Sequence, residues 1–549
     1  MIPIFTLQFA LCKKNRIFIC IYAKKVVILQ PFCEKMPFGR FRERLFVNKI
    51  HTIMKKFNIK LHVLLPLTIA VVLFMWFVPI SFFGVDGLTV IQQRTIAIFC
   101  YAALMWMFEI IPAWATSVST IVLLLLAISN KGFVHEVVEK SVNDEGTEIV
   151  RKYFMEGTAV NFKELMAAFA DPTIMLFLGG FVLAIAASKV GLDLYLARIL
   201  LKPFGTKPKF VLLGFLVLIS VMSMFMSNTA TAAMMLAFLA PVIKTLPSDG
   251  GGRMSLAMAI PIAANIGGLG TPIGTPPNAI AIGQLKEPIL NAAGEVVQNG
   301  IELGFGAWMV RFVPIVVIMI VFAWILLQVL YPFKAQKIEI VISGEVEKDW
   351  HFWVVTITFL GTILLWMTGE LTKLNSNVVA LIPFAIFAVL GVFKREDFSK
   401  IDWHVLWMVA GGFALGTALN KTGLAATLVE SIPFDTWSPI GVLIAAGLIG
   451  WLLSNFIANS SAANLLVPIL ATVAVAMKDS LASFGGITTL LVCVAASTSF
   501  AMLFPISTPP NAIACSTGLI KTNEMMKVGL IVGLTGIALS YGMLLLFPF

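Results

Sequence analysis

The chain has 549 residues, 59% of them hydrophobic and only 12% charged, with a formal net charge of +10. A soluble globular protein carries about a quarter charged residues, so this composition excludes a fold whose whole surface meets water and points to the bilayer. Backbone groups in lipid must be bonded internally, which favours helices, and the short alternating segments of a transmembrane barrel are missing.

Residues 1–56 hold twelve Lys and Arg, from Lys13 to Lys56, against Glu34 and Glu43, and so account for the entire net charge of +10. That placement argues against nucleic acid as a partner and fits a cytoplasmic flank. Residues 1–53 also carry Cys12, Cys20 and Cys33 among irregular apolar patches, whereas Met54-Lys55-Lys56 opens a regular basic-then-apolar pattern. Residues 1–53 therefore read as a basic extension, either a disordered tail or a mis-called start, without the small-residue cleavage site of a signal peptide. Cys100, Cys493 and Cys515 show no zinc or disulfide spacing and read as packing residues.

Apolar runs of membrane-crossing length place helices near 62–82, 94–110, 113–129 and 172–190. Further on they fall near 307–331, 350–368, 377–392, 404–420 and 527–548. Four other stretches are interrupted: 208–245 at Ser227-Asn228-Thr229, 254–285 at Gly274-Thr275-Pro276-Pro277-Asn278, 437–475 at Ala458-Asn459-Ser460, and 486–518 at Ser507-Thr508-Pro509-Pro510-Asn511. Polar residues 130–163 read as an external loop. Residues 332–349 read as a linker between a first half, 54–331, and a second, 350–549. The predicted fold is an all-α polytopic membrane protein with about 11 transmembrane helices and two re-entrant hairpins, 208–245 and 437–475.

The interruptions pair up. Pro272 to Ala281 matches Pro505 to Ala514 at an offset of 233, Asn228 matches Asn459 at 231, and Gly179-Gly180-Phe181 matches Gly411-Gly412-Phe413 at 232. Three pairs at nearly one offset mark an internal duplication. Five crossings separate the two hairpins, an odd number, so the second enters from the opposite side. Loop charges agree: Lys202, Lys207, Lys209, Lys394, Arg395, Lys400, Lys521 and Lys527 fall on the side of the basic N-terminus. Inverted repeats with broken helices at matching positions point to a secondary transporter with a site at mid-membrane.

At the first tip, Ser223 lies one helical turn before Ser227, and Ser, Asn and Thr favour helix caps. Unwound carbonyls and side-chain oxygens there suit a cation, and a helix N-terminus suits an anion. Pro276 and Pro277 free upstream carbonyls, and Gly274 permits close approach. Ser454, Asn459, Ser460, Ser507, Thr508 and Pro509 repeat the arrangement. No Lys or Arg occurs in 210–243, 254–285, 437–475 or 486–518. A multivalent anion bound there needs co-bound cations to offset its charge in a low dielectric; residue type alone does not separate sodium from protons. Glu109, beside Pro112, reads as a helix-end residue, and Asn464, whose counterpart is Ala233, as a packing residue.

These residues carry a resemblance. Ser227-Asn228-Thr229, the two Thr-Pro-Pro-Asn segments, Phe108 to Pro112 and Leu176 to Phe181 are similar to the divalent anion/sodium symporter family of dicarboxylate, citrate and sulfate transporters. The resemblance spans about 54–549. It implies a homodimer in the lipid bilayer, with a scaffold and a mobile transport domain working by an elevator movement. It implies co-transported Na+ held at Ser223, Ser227, Asn228 and Gly274, and at Ser454, Asn459 and Ser507. It implies carboxylate contacts from Asn228, Thr229, Thr275, Asn459, Ser460, Thr508 and Pro509. The family's second tip reads Ser-Asn-Thr, whereas here Ala458 lacks the hydroxyl and Ser460 the methyl. The expected function is sodium-coupled import of C4-dicarboxylates across the plasma membrane, a bacterial inner membrane, with the N-terminus cytoplasmic and the C-terminus external. A sulfate or citrate symporter, a sodium-independent dicarboxylate exchanger and an intramembrane enzyme are the alternatives. The last has no HExxH, GxSxG or Walker pattern to support it.

Overall fold

The computed structural model describes residues 9–11, 18–22, 25–29, 59–133, 137–142, 148–153, 157–247, 251–290, 296–338, 344–430 and 437–549. The chain forms two compact units, Met1–Leu67 and Thr68–Phe549. Of the first, the described residues include three short strands, Phe9–Leu11, Phe18–Tyr22 and Lys25–Leu29, in one antiparallel sheet. The rest of the expectation about 1–53 falls outside the described residues.

The second unit is helical, and its helices begin and end where the residue chemistry says they should. Thr89 caps Val90–Phe108 through a reciprocal box with Gln92. Asp171 caps Pro172–Lys189, with proline at the first helical position. Asp349 caps Trp350–Met367 and Asp402 caps Trp403–Lys421. Eight helices of the described residues are long and apolar enough to cross a membrane, and four shorter ones are apolar throughout. The predicted spans fall on them with ends shifted by a few residues, except 404–420, which falls on Trp403–Lys421, a helix outside both groups. The first stops at Phe77 rather than near 82, because Pro79 starts a separate turn at Ile80–Phe83. The short helices Phe162–Ala167, Leu192–Leu201 and Leu424–Glu430 had no predicted counterpart. Within the predicted loop 130–163, Val137–Val142 and Glu148–Tyr153 pair as an antiparallel hairpin.

Eight helices of this unit build the interrupted stretches. In the first half they are α1 (Pro208–Phe225), α2 (Asn228–Thr245), α3 (Gly252–Gly268) and α4 (Pro276–Lys286). In the second they are α5 (Pro439–Ser454), α6 (Asn459–Ala476), α7 (Gly486–Ser499) and α8 (Pro509–Ser516).

Contacts between helix ends sort them into two layers. In one, Lys189 meets Asp397, Trp324 donates to the Lys209 carbonyl, Arg253 donates to the Leu246 carbonyl and Tyr331 donates to Glu524. In the other, Arg94 donates to the Ala127 carbonyl, Lys286 to Thr173, Arg311 to the Pro548 carbonyl and Gln92 to the Thr422 carbonyl. The pair α1–α2 starts and ends in the first layer. α7 starts beside Pro548, in the second layer, which Gly485 touches. Packing then runs crosswise: α2 lies on α8 of the other half, and α6 lies on α4. Gly179 and Gly411 occupy matching contacts, where an added Cβ would strike the Ala380 carbonyl and Ser117 respectively.

Candidate functional site

The first tip is a two-residue turn. α1 ends in extended Met226, and Ser227 caps α2, its Oγ accepting from the Ala230 amide at 3.2 Å. That hydroxyl therefore serves the helix. Asn228 opens α2 and turns into the break of α3. Its amide lies 2.6 Å from the Ser223 Oγ, 3.2 Å from the Ala264 carbonyl and 3.1 Å from the Gly274 carbonyl. Ser223 has one hydrogen, and the Ala264 carbonyl at 2.8 Å takes it. Asn228 consequently presents its nitrogen to three oxygens. Turned over, the amide would bring a fourth oxygen to the same point, an arrangement that only a cation satisfies.

Two glycines make the approach possible. A Cβ on Gly268 would lie 2.6 Å from the end of the Asn228 side-chain amide, and one on Gly274 would lie 2.4 Å from the Gly268 carbonyl oxygen. Thr271 donates to the Met224 carbonyl, tying the break to the end of α1. Asn278 then fastens the break from below, donating to the Gly268 carbonyl at 3.0 Å and the Thr271 carbonyl at 2.8 Å. Thr275 is buried, and Thr229 is exposed at the tip.

The second tip differs from expectation. Its interruption starts earlier, because α5 ends at Ser454 and residues Asn455 to Ala458 form a longer turn. The cause is visible in Asn455: its side-chain oxygen accepts from the Leu503 amide at 2.8 Å, and its carbonyl from the Ser507 hydroxyl at 2.9 Å. Asn455 keeps its own amide on the Trp451 carbonyl, but its carbonyl is turned to Ser507 instead of carrying the helix on. Ala458 caps α6 without a side-chain bond. Ser454 donates to the Thr498 carbonyl at 2.8 Å, just as Ser223 donates to that of Ala264. Asn511 repeats Asn278, donating to the Met502 and Phe504 carbonyls at 3.1 and 3.0 Å.

The structure thus brings Ser223, Asn228 and Gly274 together, with Ala264 and Gly268 added. In the second half it gathers Ser454, Ser507 and Thr508 around the break, with no hydrogen bond from Asn459 to Ser454 or Ser507 among the described residues. Asn459 and Ser460 are buried at the start of α6, and Pro509 is exposed at the start of α8. Among the described residues no group of His, Cys, Asp and Glu could hold a metal ion, so any cation here meets neutral oxygens. Glu109 ends Val90–Phe108 in left-handed geometry at φ 44°, and Asn464 donates to the Met408 carbonyl at 3.0 Å while packing on Gly412. The sequence reading gave no role to Asn265, Thr271 or Asn455. Asn278 and Asn511 were quoted as motif, and their exact repetition was the available signal.

A citrate transporter family model matches residues 153–485, more than half of the chain. The chain belongs to the citrate transporter family. It is a polytopic membrane transporter, and the likeness to divalent anion/sodium symporters holds. Its relatives are named as transporters, not enzymes. The "Sodium-dependent dicarboxylate transporter SdcS" of Staphylococcus saprophyticus is 28% identical over 83% of this chain and 86% of its own. An "Uncharacterized transporter" of Haemophilus influenzae is 31% identical over 68% of this chain and 81% of its own. The "Sodium-dependent high-affinity dicarboxylate transporter 3" of Caenorhabditis elegans is 27% identical over 80% of each. In this citrate transporter family member, both breaks face the other half's tip helix across packed surfaces.

Proposed function

We propose that this protein is a sodium-coupled importer of C4-dicarboxylates such as succinate, malate and fumarate. The observation that carries the reading is the nest of Ser223, Asn228 and the Ala264 and Gly274 carbonyls, whose oxygens converge with no charged side chain beside them. Sodium placed there, and a second ion near Ser454, Asn459 and Ser507, offset the charge of a dianion. Thr229, Thr275, Ser460 and Thr508, with the first-turn amides of α2 and α6, meet its carboxylates. Pro276 and Pro277, like Pro509 and Pro510, have no N–H, so α4 and α8 offer their dipole and threonine hydroxyls rather than a full set of amides.

The names of the two sodium-dependent relatives support sodium and a dicarboxylate, and the family's description supports citrate as the second reading. Alternating access follows from one rigid movement of the crosswise-packed tips and breaks against the remaining helices, an elevator step, in a homodimer of the plasma membrane. The N-terminus is then cytoplasmic and the C-terminus external. Uptake of labelled succinate into proteoliposomes, with sodium or choline outside, is the test. We expect uptake only in sodium and weaker competition from citrate. Equal uptake in choline defeats the coupling, and citrate uptake without succinate uptake defeats the substrate.

A further inference from the structure

Asn265 lies on α3 in the first half, but its side chain reaches the break of the second half. Its Nδ2 sits 3.1 Å from the Thr508 Oγ1 and 3.2 Å from the Asn511 Oδ1, and all three residues are buried. The direction of these bonds follows from chemistry. Asn511 donates through its nitrogen to the Met502 and Phe504 carbonyls, which can only accept. Its Oδ1 therefore points the other way, and Asn265 must present a nitrogen to it. That nitrogen also meets Thr508, whose oxygen takes a second bond from the backbone N–H of Asn511 at 3.3 Å. Both lone pairs of the Thr508 hydroxyl are thus occupied, and no acceptor among the described residues takes its hydrogen.

Thr275, the repeat counterpart, is not held this way: it makes no side-chain cap bond, and the Asn278 amide goes to its backbone carbonyl at 3.2 Å. The counterpart of Asn265, counted from the matched carbonyls of Ala264 and Thr498, is Ser499. Its hydroxyl is buried without a partner and is too short to repeat the bridge.

We propose that Asn265 is a positioning residue: by filling the acceptor site of Thr508 that the Asn511 backbone leaves open, it presets that hydroxyl as a donor to the bound anion, so a first-half side chain tunes affinity at the second-half break. This rests on the reading of Thr508 as an anion contact. The test measures uptake of succinate and of citrate in proteoliposomes for wild type, Asn265→Asp, Asn265→Ser, Thr508→Val and the double variant Asn265→Asp/Thr508→Val.

The carboxylate of Asn265→Asp accepts only, so it would capture the Thr508 hydrogen. We expect its KM to rise about tenfold, the scale of one hydrogen bond to a charged group, with maximal rate and sodium-induced thermal stabilisation unchanged. Asn265→Ser should shift KM the same way by less, and it keeps the test open if the Asp variant does not fold. In the Thr508→Val background Asn265→Asp should add less than about twofold, because coupled neighbours are not additive. A full tenfold rise in that background would mean simple charge repulsion and would overturn the proposal, as would an unchanged KM in both Asn265 single variants. Absence of succinate and citrate uptake by wild type would instead bring down the functional reading itself.

Discussion

Gly274 and Gly268 show how tightly the first tip is built. A methyl on Gly274 meets the Gly268 carbonyl oxygen at 2.4 Å, inside any tolerable contact. Gly274→Ala should lower stability by roughly 1–3 kcal/mol and lack the sodium-induced rise in melting temperature expected of the wild type; a sodium response equal to that of the wild type would refute the nest as the ion site. Asn228→Ala should stay folded yet take up no succinate, and wild-type uptake would remove it from the site. Asn278→Leu and Asn511→Leu each strand two carbonyls, and denaturant titration should find a loss of about 2–3 kcal/mol in either. At this scale the sequence was readable where polar residues interrupt apolar runs in pairs. It was opaque at Asn265, because Ser499 does not repeat it, and a lone amide in an apolar helix carries no direction until the facing helix is known.

Caps and loops explain how elements differ between halves. Ser227 closes the start of α2, while Ala458 leaves the start of α6 without a side-chain acceptor. Ala458→Ser should raise stability by about 0.5–1 kcal/mol, visible as a higher melting temperature. The loop after Ser376–Val389 is held by Asp397, whose carboxylate meets Lys189 at 2.5 Å and Lys400 at 2.9 Å and accepts from the Lys394 amide at 2.8 Å. Burial raises the affinity of Asp397 for a proton, but these partners outweigh it and hold the group well below the usual carboxylate range. Its folded value lies below its unfolded one, near about 3.9. The stabilisation is therefore complete above that value and fades as pH falls through the folded one. Asp397→Asn should cost about 1–2 kcal/mol at neutral pH, because the lysines it leaves reach water, and flatten the acid limb of the stability profile. The short helices such as Leu192–Leu201 escaped prediction because they mix charged and apolar residues over less than a crossing length.

For the whole molecule, the duplication and its inverted sense were legible because three pairs of motifs share one offset and an odd number of spans separates them. The crosswise contact of α2 with α8 and of α6 with α4 was not, since a one-dimensional pattern says which segments match but not which partner each one touches. That contact has a consequence for the origin and handling of the molecule. Each copy packs its tip on its own broken helix and also lends its proline-started segment to its sibling's tip helix. A half made alone would leave such surfaces bare and be prone to degradation, whereas two halves made as separate polypeptides in one cell should find each other and purify as a pair.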